Sequence, residues 1–322
     1  MGEHGPIRVL VTGGSGFIGR RVVRALLDDG AEVTVADKRP FPGDSLPSDR
    51  VRMVLGDLCD PAVVAEAVQP GTDVIIHLAA VTRVLLSIED PAATHRLNVE
   101  VTANLLEQAR IQGVKTFLFA STNAVTGDVG QATINEQIAL RPLTPYGATK
   151  AAGEMLVSCY TAAYGIKGCA LRFSNVYGPG MQQKDSFVPR LMRAARDGGG
   201  VQIYGDGTQV RDLIHVDDIV SALLLVWRRR HTGSLIVAAG ESVTVNDIVA
   251  AARSVTGAPI PAEHVPAKPG EMPAVIVDIS AARALGYQPT HDLKSGIATV
   301  WPEWEPQDAQ SGPQNVDGEA GL

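Results

Sequence analysis

The most informative pair of side chains in the sequence is Tyr146 and Lys150, which stand four residues apart. Residues at this spacing share one face of a helix, so the lysine ammonium is expected near the tyrosine phenol. A free tyrosine titrates at about pH 10, and a neighbouring cation lowers that pKa by stabilising the phenolate. The pair therefore predicts a general base for an alcohol or sugar hydroxyl. Taken alone, the same spacing is more often a solvated helix face.

A glycine-rich turn near the N-terminus raises the significance of that pair. The spacing G-x-x-G-x-x-G runs from Gly13 to Gly19, after an apolar strand and before a helical pattern. Glycines allow the backbone to approach a pyrophosphate, and the helix N-terminus supplies N–H donors. Asp37 ends the next strand, where a carboxylate binds a ribose 2′-hydroxyl and repels a 2′-phosphate. The turn predicts a nucleotide site that prefers NAD to NADP, although Lys38 follows directly.

Further polar residues stand where predicted strands end, which in such folds is the ligand side of the sheet. Asp57 follows the third strand and either accepts from an adenine amine or caps a turn. His77 ends the fourth strand and is interpreted as a packed core histidine. Ser121 and Thr122 follow the fifth strand, where a hydroxyl could bond the substrate oxygen that Tyr146 deprotonates.

Elements that must position these residues alternate between short apolar runs and helical patterns. The predicted strands are 7–12, 32–36, 51–55, 73–76, 115–120 and 168–172. The predicted helices are 17–29, 61–69, 91–112, 145–164 and 216–226. This alternation predicts an α/β fold, a doubly wound Rossmann parallel sheet with helices on both faces.

The pattern changes after residue 175, where glycine and proline become frequent and elements alternate irregularly. We expect a Rossmann core over 1–175, with 205–230 returning to it. Residues 176–305 are expected to form mainly a smaller, mixed C-terminal substrate-binding lobe. The polar, acidic and Gly-rich stretch 306–322 is expected to be a disordered tail.

Composition limits the class of protein. The chain has 322 residues, 45% of them hydrophobic, and a formal net charge of -7 without a long basic run, which disfavours a nucleic-acid partner. No apolar run approaches a membrane span, and the N-terminus lacks a secretory signal pattern. The three cysteines have no metal-ligand spacing. We therefore expect a cytoplasmic protein with reduced thiols and no metal.

Taken together in this order and spacing, the motifs resemble the extended short-chain dehydrogenase/reductase superfamily. More closely, residues 7–300 resemble its NAD-dependent nucleotide-sugar epimerase/dehydratase branch, with a motif pattern similar to UDP-hexose 4-epimerases. The segments Leu171–Pro179 and Gly205–Asp218 match the family's phosphate-binding segments. By this resemblance Asn175 holds the phosphates of a sugar nucleotide, and Arg211 clamps the diphosphate with a planar fork of donors.

The resemblance also implies the remaining contacts. Cofactor contacts are implied for Gly13, Gly16, Phe17, Ile18, Gly19, Asp37, Lys38, Asp57, Leu58, Leu78, Ala79, Ala80, Asn98, Ser121, Tyr146, Lys150 and Phe173. Substrate contacts are implied for Thr82, Arg83, Thr122, Asn123, Tyr146, Asn175, Phe187, Val188, Gln202, Tyr204, Arg211, Lys268, Glu271 and Val275. Relatives commonly form dimers through two helices of each subunit, here 91–112 and 145–164.

The residues beside the catalytic hydroxyl distinguish the reactions of this branch. In the family that this chain resembles, the 4,6-dehydratases share an acidic pair at the positions of Asn123 and Ala124. The decarboxylases of that family carry a glutamate there. Neither Asn123 nor Ala124 can transfer a proton. The resemblance therefore implies C4 epimerisation of a UDP-sugar by Thr122, Tyr146 and Lys150. A UDP-glucuronate 4-epimerase, with Arg83 as carboxylate partner, and a nucleotide-4-ketosugar reductase remain alternatives, while a dehydratase, a decarboxylase or a non-catalytic NAD sensor is disfavoured.

Three positions depart from the family pattern. Thr126 stands where the family usually has the tyrosine of Val-Tyr-Gly, and Lys268 where many relatives have a diphosphate-binding arginine. Val275 aligns with a bulky tyrosine that restricts some epimerases to glucose and galactose. The smaller side chain predicts room for a 2-acetamido group, and hence activity on UDP-GlcNAc and UDP-GalNAc as well.

Overall fold

A computed structural model describes residues 5–42, 49–266 and 274–306 of the chain. Two predicted substrate contacts, Lys268 and Glu271, lie outside the described residues, as does the predicted tail apart from Pro306.

Regular elements account for most of the described chain. The strands are β1 Arg8–Thr12, β2 Glu32–Asp37, β3 Val51–Leu55, β4 Val74–His77, β5 Thr116–Thr122, β6 Thr133–Ile134, β7 Lys167–Phe173, β8 Asn175–Tyr177, β9 Val201–Tyr204, β10 Val210–His215, β11 Gly233–Val237, β12 Ser242–Thr244, β13 Ala262–Val265 and β14 Ile276–Val277. The α-helices are α1 Gly19–Asp28, α2 Pro61–Ala67, α3 Val84–Glu89, α4 Pro91–His95, α5 Val101–Ile111, α6 Pro145–Tyr164, α7 Phe187–Asp197, α8 Val216–Arg229, α9 Val245–Thr256, α10 Ser280–Ala284 and α11 Leu293–Val300.

The central sheet has seven strands in the order β11-β7-β5-β4-β1-β2-β3, and every adjacent pair is parallel. The order reverses between β1 and β4, which is the switch point where doubly wound folds bind ligands. Apolar side chains of α1 and α8 pack in one core, and those of α2, α5 and α6 pack in another. Because these two cores bury β4 and β5 along their length, both strands have a mainly apolar sequence. The predicted doubly wound sheet is confirmed.

The predicted helix 91–112 is interrupted rather than continuous. Between α4 and α5 the residues Arg96–Glu100 form a π-helical turn. The amide of Asn98 in this turn accepts from the N–H of Val81 at 2.8 Å and donates to its carbonyl at 3.0 Å. These two bonds hold Asn98 inward, so the turn widens there, as π-turns often do near functional sites. The short helix α3 was not predicted, because Pro91 obscures its pattern.

Two compact units divide the chain. The first comprises the described residues of 1–177, 209–243 and 270–291, and the second comprises those of 178–208, 244–269 and 292–322. The segment that returns to the first unit is therefore 209–243, against the predicted 205–230, and it includes β11 of the central sheet. Within the second unit, β9 pairs in parallel with β13, and α9 packs against α7 and α11. The binding of cofactor by the first unit and of sugar nucleotide by the second stays a prediction.

Candidate functional site

The glycine turn lies between the end of β1 and the start of α1. Gly13 has φ +67°, and a Cβ there would lie 2.8 Å from the backbone nitrogen of Ala79. A Cβ at Gly19 would collide with the Gly13 carbonyl, whereas one at Gly16 would lie 3.0 Å from that oxygen. Helix α1 begins without a side-chain cap at Ile18. An uncapped helix start behind a bare glycine turn fits a pyrophosphate, because its N–H groups and partial positive charge attract an anion.

Asp37 ties the end of β2 to this turn. One carboxylate oxygen accepts from the N–H of Ser15 at 3.1 Å, and the other accepts from the N–H of Arg39 at 3.0 Å. Each oxygen keeps a further lone pair, so the carboxylate can still accept from ribose hydroxyls. These residues fit the adenosine end of NAD.

Lys38 and Asp57 form an exposed ion pair at 2.9 Å. The N–H of Cys59 also donates to Asp57, and this bond is the main cause of a lowered pKa for the Asp57 carboxyl, with Lys38 contributing. Lys38 is thus directed to Asp57, which weakens its attraction for a 2′-phosphate. Leu58 is buried in the core beneath.

The predicted catalytic side chains come together at the end of β5 and the start of α6. Thr144 caps α6 by accepting from the Gly147 N–H, and Tyr146 N–H donates to the Ser87 hydroxyl at 3.1 Å. The Thr122 hydroxyl lies close enough to Tyr146 to act on the pKa of its phenol. Lys150 donates from Nζ to the carbonyl of Ala120 at 2.8 Å.

The pKa of Tyr146 shifts in the direction opposite to the one expected from the sequence. Burial raises the pKa of Tyr146, and the hydrogen bond from Thr122 opposes that rise without overcoming it. The predicted lowering by Lys150 is wrong for the chain's own groups, because burial of the phenol has the larger effect on its pKa. Burial lowers the pKa of Lys150 to about 7, so this amine is near its midpoint at neutral pH.

Residues next to Thr122 have distinct environments. Ser121 donates its hydroxyl proton to Glu154 at 2.5 Å, so that proton is already used within the protein. Asn123 is 8% exposed, and neither atom of its amide has a hydrogen-bond partner among the described residues. Thr126, at the departure from the family pattern, closes the turn by donating to the Asn123 carbonyl at 2.8 Å. A buried amide without partners is costly, so Asn123 fits a polar group of a ligand.

The segment after β4 borders the glycine turn. Leu78, Ala79 and Ala80 are partly buried, and Leu78 donates its N–H to the Thr12 carbonyl at 3.1 Å. Thr82 and Arg83 are exposed, just before α3. These positions are compatible with the predicted contacts to cofactor and substrate, which stay predictions.

The predicted phosphate-binding residues lie on paired strands of the first unit. Strands β8 and β10 are parallel, with Leu213 opposite Asn175. The Asn175 amide donates to the Asp212 carbonyl at 3.1 Å, and Arg211 donates to the Val210 carbonyl at 2.8 Å. Arg211 is partly buried and Asn175 is exposed, and their contact with a diphosphate stays a prediction. Phe173, at the end of β7, packs in the core.

The remaining predicted substrate contacts fall in both units. In the second unit, Phe187 and Val188 begin α7, and Gln202 and Tyr204 alternate with the buried residues of β9. In the first unit, Val275 is 7% exposed, packs in the core and donates its N–H to the Val210 carbonyl at 3.0 Å. Its role in admitting a 2-acetamido group stays a prediction.

A buried ion pair next to the catalytic group was missed by sequence reasoning. Arg172 on β7 donates to Glu154 on α6 at 2.8, 3.0 and 3.2 Å, and both residues are at most 5% exposed. The signal was present, since Arg172 stands in an otherwise apolar strand and such a charge needs a buried partner.

The described residues also bring together three side chains of metal-ligand type, with ligand atoms of His215, Asp217 and His291 within 4.8 Å of one another. Arg21 donates to Asp217 at 2.6 Å, and the group lies at the positive N-terminus of α8. The two imidazole rings are stacked at 3.9 Å. Stacked rings do not converge on one ion, and the positive charge of Arg21 and of the helix N-terminus opposes a cation. We therefore interpret these three side chains as structural contacts at the start of α8.

Among the helices of residues 5–42, 49–266 and 274–306, none is long and apolar enough to span a membrane.

Comparison with known proteins places these features in a family. A dTDP-glucose 4,6-dehydratase of Streptomyces griseus is 34% identical over 305 residues, which cover 91% of this chain and 92% of the relative. The structure of the Thermus thermophilus UDP-glucose 4-epimerase in complex with NAD has a TM-score of 0.84 and 32% identity, covering 92% of this chain and 99% of that one. MoeE5 in complex with UDP-glucuronic acid and NAD has a TM-score of 0.84 and 36% identity, covering 92% and 98%.

The family model that matches is the NAD dependent epimerase/dehydratase family, over residues 9–239. This match confirms the predicted family and agrees with the NAD specificity inferred from the glycine turn and Asp37. It spans the Rossmann sheet, the group around Tyr146 and strands β8 and β10. The chain therefore belongs to the NAD dependent epimerase/dehydratase family.

Proposed function

We propose that this protein catalyses C4 epimerisation of a UDP-sugar. The proposed substrates are UDP-glucose and UDP-galactose, together with UDP-GlcNAc and UDP-GalNAc. One observation carries the proposal. The Thr122 hydroxyl acts on Tyr146, and Lys150 is buried one helical turn further along α6, while Asn123 and Ala124 carry no titratable group beside them.

The cofactor is proposed to be held by residues of the first unit. The glycine turn from Gly13 to Gly19 would take the pyrophosphate, Asp37 the adenosine ribose and Lys150 the nicotinamide ribose. When bound, NAD⁺ supplies a reversible hydride acceptor for the sugar C4 and a positive charge that favours the phenolate.

Tyr146 is the general base in this mechanism. Because burial raises its pKa, the phenol keeps its proton until positive charge is added nearby. The phenolate then takes the proton of the sugar 4-hydroxyl, and Thr122 donates a hydrogen bond to the same oxygen. Asn175 and Arg211 hold the diphosphate while the 4-keto sugar turns over. When hydride returns to the opposite face of C4, Tyr146 returns its proton to the C4 oxygen, which gives the inverted alcohol.

A dehydratase is the main competing function, since the Streptomyces griseus relative bears that name. Elimination requires an acid for the leaving C6 hydroxyl and a base for the C5 proton. The amide of Asn123 and the methyl of Ala124 can do neither. The carboxylate of Glu154 is held by Arg172 and Ser121, and it lies on α6 rather than beside Thr122 in sequence.

A uronic acid is the second candidate substrate. Arg83 is exposed in the segment that follows β4, where its guanidinium could pair with a carboxylate. MoeE5, which shares 36% identity with this chain, was solved with UDP-glucuronic acid.

The test is proton NMR of the protein with UDP-glucose, UDP-GlcNAc or UDP-glucuronate in separate tubes, with catalytic NAD⁺ and no reductant. A new anomeric doublet of the C4 epimer is expected in at least the first two tubes. Tyr146→Phe should abolish it, whereas Tyr160→Phe, the same change on the same helix, should not. No epimer in any tube would contradict the proposal, and turnover only with a 4-ketosugar and reduced cofactor would identify a reductase.

We further propose that the protein is a homodimer through α5 and α6. Ile111, Met155 and Tyr164 are more than half exposed on these helices, at 55%, 61% and 54%. Such large apolar side chains are typical of a protein interface. Light scattering behind size exclusion should give twice the chain mass, and a monomer would exclude the dimer.

A further inference from the structure

Buried polar side chains form a continuous hydrogen-bonded chain through the first unit. Thr12, His77, Asn98, Thr102 and Thr149 are each at most 6% exposed. They lie on β1, β4, the π-helical turn, α5 and α6. Five buried polar groups in contact require a satisfied network, because each orphaned donor or acceptor would destabilise the fold.

The directions of the bonds follow from a count of protons. Thr102 donates its one hydroxyl proton to the Asn98 carbonyl at 2.7 Å, so it must accept from Nε2 of His77, which lies 3.0 Å away. Burial, with Lys150 as a second cause, lowers the pKa of His77 to about 3, so the ring is neutral. Nδ1 therefore has no proton and accepts from the Thr12 hydroxyl at 2.6 Å. Thr12 in turn accepts from the N–H of Ala79 at 3.3 Å.

One end of this chain lies at the glycine turn. Thr12 precedes Gly13, and the backbone of Ala79 is the surface against which Gly13 packs. The bonds from Ala79 to Thr12 and from Thr12 to His77 therefore fix the segment after β4 against the turn.

The other end lies at the catalytic helix. The Asn98 amide donates to the Thr149 hydroxyl at 3.0 Å, and Thr149 donates to the Tyr146 carbonyl at 2.8 Å. The same amide makes both bonds to the backbone of Val81. Both protons of the Asn98 side-chain amide and its Oδ1 oxygen are hydrogen-bonded. The position of this side chain is therefore fixed by Val81 and by Thr149 together.

We propose that His77 is a positioning residue, whose Nε2–H tautomer locks the cofactor-binding turn to the helix that carries Tyr146. It touches neither cofactor nor sugar and acts through Thr12 on one side and Thr102 on the other. The proposal depends on the proposed function only for the role of Tyr146. If His77 served packing alone, only its contacts with the rings of Phe117 and Phe119 would matter.

A positioning role and a packing role of His77 predict different effects when the hydroxyl of a neighbouring threonine is removed. Thr102→Val keeps the shape of the side chain and removes the acceptor of His77, on the side of the ring away from the glycine turn. Thr94→Val is the matched control, because Thr94 is 1% exposed and donates to the Asp90 carbonyl at 2.9 Å without contacting His77. Thr12→Val removes the link on the turn side.

NADH binding is measured by fluorescence titration, which requires no sugar and no turnover. We expect Thr102→Val and Thr12→Val each to weaken binding by about fivefold, the effect of one buried hydrogen bond, and the double variant by less than the product. Thr94→Val should leave binding unchanged. In a His77→Phe background, Thr102→Val should not weaken binding further. Equal effects of Thr102→Val and Thr94→Val, or factors that multiply in full, would overturn the proposal.

A second readout covers the case in which His77→Phe does not fold. Nitrogen-15 NMR of histidine-labelled protein reports the tautomer directly. A neutral His77 with its proton on Nε2 is expected from pH 6 to 8, with a changed Nδ1 shift in Thr102→Val but not in Thr94→Val. A proton on Nδ1, or an identical shift in both variants, would contradict the inference. Absence of epimerase activity would leave both readouts interpretable.

Discussion

Lys150 and Glu154 are two buried charged residues one turn apart on α6, and the protein treats them in opposite ways. Glu154 is held by Arg172 through three contacts and by the hydroxyl groups of Ser121 and Ser234, at 2.5 and 3.3 Å. Lys150 has the carbonyl of Ala120 and lies over the Phe119 ring at 4.7 Å from its centroid. No carboxylate lies within ion-pair distance of Lys150 among the described residues.

This difference separates a structural charge from a functional one. A bidentate arginine and two hydroxyls compensate the desolvation of Glu154, so the pair joins α6 to β7. Lys150 is left with partial compensation, and burial lowers its pKa to about 7. A cation kept near its titration point beside Tyr146 is a group that a ligand can recharge, which is a property of active sites.

The largest expected effect comes from breaking the compensated charge. Glu154→Gln should lower the free energy of unfolding by about 3–5 kcal/mol, because Arg172 is left buried without its partner. Urea unfolding measures this difference. The control is Glu107→Gln, which breaks an exposed pair with Arg110 at 2.7 Å and should lower the free energy of unfolding far less. Similar losses in the two variants would contradict the distinction between the pairs.

The second effect comes from removing the uncompensated charge. Lys150→Met should lower kcat by about a thousandfold, on the order of 4 kcal/mol, because the amine proposed to hold the nicotinamide ribose is lost. The fold should persist, since a buried ammonium is costly and a thioether is not. Epimer formation followed by NMR and thermal unfolding measure the two properties. A variant that keeps full activity, or that fails to fold, would refute the functional assignment of Lys150.

The smallest effect is a pH dependence. The folded pKa of Lys150, about 7, lies below its value of about 10.5 in an unfolded chain, so the unfolded state binds more protons between these values. The Lys150 contribution to stability therefore rises with pH through this window. Relative to Lys150→Met, the wild type should gain on the order of 1–2 kcal/mol between pH 7 and 9. An unchanged difference between the two proteins would show that Lys150 is not desolvated.

The sequence was sufficient for the sheet and for the helix that carries Tyr146 and Lys150. Strand periodicity, the turn from Gly13 to Gly19 and the spacing of Tyr146 and Lys150 are local features, and local features are visible in one sequence. The predicted α/β sheet agrees with the structure, and the Thr122 hydroxyl acts on the pKa of Tyr146.

Other features depend on partners distant in sequence. The predicted direction of the Tyr146 pKa shift was wrong, because spacing on a helix does not reveal how deeply the phenol is buried. The π-helical turn at Asn98 forms through Val81 and Thr149, which are 17 and 51 residues away. His77 was interpreted as a packed histidine, and its hydrogen bonds to Thr12 and Thr102 became visible only in three dimensions.

The most direct test of epimerisation is turnover of UDP-glucose in deuterium oxide, with the product analysed by mass spectrometry and NMR. Proton transfer confined to the 4-hydroxyl predicts the C4 epimer with no carbon-bound deuterium and no loss of water. A product that has lost water and carries deuterium at C5 would show elimination chemistry, and would contradict the assignment of Thr122, Tyr146 and Lys150 to epimerisation alone.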